Sequence, residues 1–170
     1  WAELGSWLAG VLGLWADRRR PAAEPTGVPA RARVDLPGAP ESPAGLWAYV
    51  QRSRLPDRVD SAEFLAEHVT GMVRLPGTGA GEIAQGAVVG LGRLDGMPVV
   101  IAATTDRRSG EPLTVGGLRT VRRGIVLAER WGLPMVTVVD TLGAQLSVEG
   151  EQSGIAGEIS RVMLDLVSAS

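Results

Sequence analysis

Cysteine, lysine and asparagine are absent from the chain, and histidine, tyrosine and phenylalanine each occur once. Without cysteine there can be no disulfide, no thiolate metal site and no cysteine nucleophile, and the redox compartment is left unmarked. The cytoplasm is the simplest expectation. The one histidine, His68, has no partner ligands and no visible Ser/Asp constellation, so a structural role is favoured over a catalytic one. All 17 cationic side chains are arginine, a bias that reads as AT-poor coding in a GC-rich bacterial genome rather than as protein physics. The net charge of -2 gives no basic face for a polyanion, so nucleic acid is not expected as a partner. Long apolar runs are missing too. The segment from Trp1 to Trp15 is interrupted by Gly5, Gly10 and Gly13 and falls short of the about 20 residues that span a bilayer. It has neither the basic start nor the cleavage pattern of a signal peptide, so no membrane association is expected.

What is present divides into stretches of different character. Leu4, Trp7, Leu8, Val11, Leu12 and Trp15 recur at spacings of three and four, which predicts an amphipathic helix with an apolar, aromatic face. From Arg18 to Ala44, prolines recur among Ala, Gly and Arg without an apolar period, the composition of an extended linker. Helical patterns follow at Leu46–Ser53 and from Ser61 to Val69, with Ser61 as the expected cap of the second. These two helices read as a lead-in, with the core beginning at Glu82. Ala87–Leu94 and Met97–Thr104 are apolar and β-branched, and Asp95-Gly96 between them suits a two-residue hairpin turn. Thr114–Trp131 is helical and stopped by Gly132 and Pro134. A strand Met135–Val139 follows, so a right-handed parallel connection is expected. A loop, Asp140–Glu149, then leads to a last helix carrying Ile155, Ile159, Val162, Met163 and Leu166 on one stripe.

Two stretches resemble a known family. Gly90-Leu-Gly-Arg-Leu-Asp-Gly-Met-Pro-Val-Val-Ile101 is similar to a hairpin of biotin-dependent carboxyltransferases. The longer succession runs Thr114-Val-Gly-Gly-Leu-Arg-Thr-Val-Arg-Arg-Gly, Leu127-Ala-Glu-Arg-Trp-Gly-Leu-Pro134, Val138-Val-Asp-Thr-Leu-Gly-Ala144 and Glu151-Gln-Ser-Gly-Ile-Ala-Gly-Glu-Ile159. It resembles, in order, the α-type half of the acetyl-CoA carboxylase carboxyltransferase, of the fused actinobacterial-like kind. The departures are Leu142 where the family has proline, and a loop without the usual Pro-Gly pair. The resemblance implies an α/β fold, a crotonase-like ββα spiral, incomplete, preceded by a helix and a Pro-rich linker. It further implies that residues 1–17 end a preceding N-terminal β-type domain, that 18–44 are the linker, and that 45–170 open the C-terminal α-type domain.

By the same resemblance, a carboxyl group passes from carboxybiotin on a carrier protein to acetyl-CoA or propionyl-CoA, giving malonyl-CoA or methylmalonyl-CoA. The partners implied are the biotin carboxyl carrier and biotin carboxylase, the N-terminal carboxyltransferase half and further copies in an oligomer, with no metal. Such chemistry stabilises developing oxyanions with backbone amides, and glycine lets a bare backbone approach the ligand. Gly143 and Ala144, just past a parallel strand, are the candidate wall of the biotin pocket. The alternative is a glycine supplying an unusual dihedral at a strand exit. Asp140 and Thr141 belong to the same candidate pocket, although Asp140 reads more simply as a loop cap. Gly116 and Gly117 could offer amides to substrate, or allow close helix packing, the favoured reading. Arg107 and Arg108 could meet a coenzyme A phosphate, but solvation is the safer assignment. Gly77-Thr-Gly-Ala-Gly81 lacks the ending of a phosphate loop and reads as a turn. Trp7 and Trp15 read as packing or subunit contact.

Two competing functions stay open at this level. One is another crotonase-fold acyl-CoA enzyme, a malonate decarboxylase subunit or an enoyl-CoA hydratase. A hydratase would need paired glutamates, and Glu149, Glu151 and Glu158 have the spacing of a solvated loop and helix face. The other is a structural fragment, inert alone, because half a site cannot hold two substrates together.

Overall fold

The computed structural model describes residues 2–17, 42–55, 57–82, 84–105, 110–141 and 143–169. In chain order the elements are α1 (Ala2–Asp17), α2 (Pro43–Ser53), α3 (Ser61–His68), β1 (Val69–Arg74), β2 (Ala87–Leu94) and β3 (Met97–Thr104). They continue with α4 (Val115–Trp131), β4 (Met135–Val138), α5 (Val148–Gln152) and α6 (Ile155–Ser168). The strands form one sheet in the order β1-β2-β3-β4. The β2–β3 hairpin pairs in register from Ala87↔Thr104 to Leu94↔Met97. Its turn places Asp95 and Gly96 both at positive φ, 50° and 79°, as a mirror-image two-residue turn requires. The connection through α4 brings β4 alongside β3 in parallel.

The pleat sends alternate residues to opposite faces. Val89, Leu91, Val100 and Ala102 meet Leu14 of α1 and Ala128 of α4 on one face. Val99, Ile101 and Ala103 meet Leu65 of α3 on the other. Gly124 lets α4 lie close to the sheet, since a Cβ there would come within 2.9 Å of Val89. The left-handed residue Gly132 ends α4, and its amide donates to the carbonyls of Ala128 and Glu129. A third cluster, Val115, Leu118, Ile155 and Val162, joins α4 to α6.

Several expectations need correction. The lead-in contains a strand: β1 starts at Val69, directly after α3, and pairs antiparallel with β2 across an irregularity between Thr70 and Val73. The core therefore begins before Glu82, with Leu14, Leu65 and Leu75 all buried. The cap of α3 is Asp60, in a reciprocal capping box with Glu63, whereas Ser61 is buried and its hydroxyl donates to the Thr104 carbonyl. Helix α2 starts three residues before Leu46, capped by Ser42, so the last residues of the expected linker are helical; residues 18–41 lie outside those described. On α1 the face against the sheet holds Gly10, Val11 and Leu14, while Leu4, Leu8, Leu12 and Trp15 are exposed. The final strand ends at Val138, and a short helix, α5, forms inside the expected loop. Met163 is exposed on α6, off the packing stripe of Ile155 and Val162.

Candidate functional site

Three segments lie side by side where β3 and β4 end. The Thr104 hydroxyl, at the end of β3, accepts from the amide of Asp140 at 2.7 Å, so the exit of β4 is tied to its neighbour. Four residues on, Ala144 forms a parallel bridge with Leu113, and the Gln145 amide donates to the Leu113 carbonyl at 3.0 Å. Leu113 precedes Thr114, the cap of α4, whose amide and hydroxyl both reach the Gln85 carbonyl at 3.4 Å. Two glycines permit this approach. A Cβ at Gly117 would lie 2.3 Å from the Gln85 carbonyl oxygen, and one at Gly86 would lie 2.5 Å from the Leu113 α-carbon.

The pocket candidates from sequence, Gly116, Gly117, Asp140, Thr141, Gly143 and Ala144, fall in this arrangement. Gly116 and Gly117 are buried in the first turn of α4. The Gly117 amide donates to the Thr114 hydroxyl at 3.2 Å, and its α-carbon packs against Gln85. Asp140 contributes its amide to Thr104. The loop is closed by Thr141, whose hydroxyl accepts from the Gly143 amide at 2.9 Å, with Gly143 at φ 128°. The Gly143 amide is thereby occupied. The parallel bridge engages the groups flanking Ala144, and among the described residues the Ala144 amide carries no hydrogen bond. Thr104, Gln85 and Leu113, which hold the loop, escaped the sequence reading because their roles exist only once three distant segments meet.

Of the three glutamates whose spacing suggested solvent, Glu149 and Glu151 are exposed as expected, and Glu158 is not. Glu158, on α6, is only 3% exposed. Arg161 donates to it at 2.8 Å, and Arg119 and Arg122 on α4 approach at 3.4 Å. Arg119 also pairs with Glu82, and Arg122 with Asp165 at 2.6 Å. Burial pushes the Glu158 carboxyl up, but the Arg119 hydrogen bond and the Arg161 and Arg119 charges outweigh it, holding the group below the ordinary carboxylate value. The Arg119 and Arg122 guanidiniums are raised, chiefly by hydrogen bonds to Glu158 and Asp165 respectively. Glu158 is thus a fixed anion rather than half of a proton-transferring pair.

Other candidates lie apart. His68 ends α3 with its ring 4.6 Å from that of Phe64, and Arg107 and Arg108 lie outside the described residues. Gly77, Gly79 and Gly81 all have positive φ and line a cavity of about 530 Å³ with Thr120. Among the described residues no group of three or more His, Asp or Glu could hold a metal ion, and no helix is long and apolar enough to cross a membrane.

The family described as acetyl co-enzyme A carboxylase carboxyltransferase-like matches residues 44–170. A "probable biotin-dependent acyl-coenzyme A carboxylase beta3 subunit" of Mycobacterium tuberculosis is 38% identical over 76% of this chain and 28% of its own length. The acetyl-coenzyme A carboxylase carboxyl transferase subunits beta/alpha of Salinispora arenicola are 34% identical over 72% of this chain and 23% of the relative. The alpha subunit of Phenylobacterium zucineum is 33% identical over 68% and 38%. This chain therefore spans about a quarter to two fifths of these relatives. Among solved structures, the transcarboxylase 12S hexamer with methylmalonyl-coenzyme A bound aligns with a TM-score of 0.56 at 20% identity, over 69% of this chain and 24% of that one. The likeness shows the expected crotonase-like α/β fold.

Proposed function

Because this chain belongs to the acetyl co-enzyme A carboxylase carboxyltransferase-like family, we propose that it supplies one wall of a carboxyltransferase site for a biotin-dependent acyl-CoA carboxylase. In this reading residues 45–170 open the C-terminal α-type domain and 1–17 end the β-type domain before it. The observation that supports it is the Ala144 amide, without a hydrogen bond among the described residues and set beside a braced segment at the carboxyl end of a parallel strand. Ligands of open α/β sheets collect at such strand ends, and an amide fixed in advance can stabilise developing oxyanion charge without a titrating side chain. Biotin, carboxylated on its carrier, supplies the carboxyl group. Here Ala144 would donate to its oxygen, with Gly143 leaving the approach open and Thr141 and Asp140 fixing the loop. Acetyl-CoA or propionyl-CoA is the acceptor, met from the N-terminal half of a facing subunit in an oligomer.

The fixed charge of Glu158 disfavours a hydratase pair at this position, because its three arginines keep it ionised. The deciding experiment grafts residues 45–169 into a complete relative and follows malonyl-CoA and methylmalonyl-CoA formation. Ala144→Pro, which deletes the amide, is expected to cut carboxyl transfer by about 10²-fold or more, the scale of one oxyanion donor, with acyl-CoA binding retained. Undiminished turnover would remove Ala144 from the site. The 170-residue chain alone is expected to transfer no carboxyl group from free carboxybiotin to acetyl-CoA, and measurable turnover would show that it is not half a site.

A further inference from the structure

Helices α1 and α4 leave between them, on the sheet face that carries Leu75, a groove of about 280 Å³. Its walls are two indoles, Trp7 and Trp131, and two guanidiniums, Arg123 and Arg130, over a floor of Leu75 and Leu127. The structure holds two of these groups in place. Trp7 Nε1 donates to the Arg74 carbonyl at 3.1 Å, and Arg123 Nη1 donates to the carbonyls of Gly77 at 3.0 Å and Pro76 at 3.4 Å. Arg130, two helical turns beyond Arg123 and so on the same side of α4, has no hydrogen bond or ion pair among the described residues. Among the described residues no carboxylate lines the groove.

An indole offers a flat apolar surface to a ring, and a guanidinium forks onto a carboxylate or phosphate. Aromatic walls, two cations, and no carboxylate among the lining residues select a planar ring that carries negative charge. Leu127 lies eleven residues along α4 from Gly116, about 16 Å at 1.5 Å per residue, so the groove is separate from the Asp140–Ala144 loop. We propose that it is a second ligand site, taking a planar aromatic anion. The assignment does not depend on carboxyl transfer and stands or falls apart from it.

Saturation-transfer NMR and calorimetry on the 170-residue chain test it with two probes, indole-3-acetate for an aryl carboxylate and adenosine 5′-monophosphate for a nucleoside phosphate. At least one is expected to bind at millimolar concentration or below, and which one does so identifies the source of the anion. Tryptophol, which keeps the ring and loses the charge, and inorganic phosphate, which keeps the charge and loses the ring, should each bind at least tenfold more weakly. Arg130→Ala should weaken the bound probe at least tenfold with unchanged thermal unfolding, since that side chain makes no hydrogen bond or ion pair among the described residues. Arg58→Ala, elsewhere on the surface, should leave binding intact. Three results would overturn the site: neither anion binding, tryptophol binding as well as the acid, or Arg130→Ala binding as well as the parent. Concentration-dependent sedimentation abolished by Arg130→Ala would also overturn it, by showing the groove filled by a second copy.

Discussion

Glu158 shows how little a residue's type says about its surroundings. A glutamate on a helix whose neighbours include serine and arginine reads as solvent-facing, and the three guanidiniums that surround it come from two helices. Arg119 and Arg122 are 39 and 36 residues away in sequence, so no local pattern reveals that the carboxylate is buried and paired. Removing the charge while keeping the shape isolates its contribution. Glu158→Gln is expected to destabilise the fold by about 1–3 kcal/mol at neutral pH, the range for hydrogen bonds to charged groups. The figure stays well below that for a fully buried pair, because the arginines are one-third to one-half exposed. The folded carboxyl lies below its ordinary value, so its contribution is complete above the unfolded value of about 4.3. It is lost as the pH falls through the lower, folded one. Denaturant melts of parent and variant should therefore differ at pH 7 and converge in strong acid. Gly117 makes the complementary point: Gly117→Ala places a Cβ against a carbonyl oxygen and should cost about 1–3 kcal/mol by overpacking, read from the same melts.

At the scale of elements, the legible parts were those with their own punctuation. Asp95-Gly96 announces the hairpin, and Gly132-Pro134 announces the end of α4, because each requires a backbone conformation that few residues adopt. Strand β1 had no such signal. Val69 closes the last turn of α3 and opens the strand in the same residue, so the apolar spacing of the helix runs on unbroken into it. The cap was misplaced by one residue for a related reason. Asp60 and Ser61 are both good cap types, and the choice falls to Asp60 through Glu63 three residues on, which completes the capping box, while Ser61 turns to Thr104. Their variants should separate accordingly. Asp60→Ala should cost about 1 kcal/mol as a lost cap and leave the β4 exit intact. Ser61→Ala should cost a similar amount and also speed hydrogen exchange at the Asp140 amide, since Thr104 anchors both. Equal exchange at Asp140 in the two variants would show that α3 does not support the candidate loop.

The placement of α1 is a property of the whole molecule. Large apolar residues at helical spacing suggest a face built on Leu4, Trp7, Leu8, Val11, Leu12 and Trp15, of which Val11 packs on the core and Trp7 bonds to Arg74, but docking is decided by how closely the helix can approach. Gly10 sits against Val73, where a Cβ would come within 2.8 Å, and that approach turns Leu14 into the cluster of Leu75, Val89 and Val100. An ion pair of Asp17 with Arg93 and the bond from Trp7 to Arg74 fasten the helix to β2 and β1. Residues 2–17 thus cover part of one sheet face, although the family match begins at residue 44. If that packing is integral to the fold, Leu14→Ala should lower the unfolding free energy of the whole chain by about 2–4 kcal/mol, as buried leucine truncations do. Leu12→Ala, at a site 62% exposed, should change it by less than about 0.5 kcal/mol. A single cooperative transition shifted in the first variant and not in the second would make α1 part of the same folding unit as the strands. If instead Leu14→Ala left the main transition unmoved, α1 would be an attachment that the sheet can do without, and the proposed wall at Asp140–Ala144 would owe nothing to it.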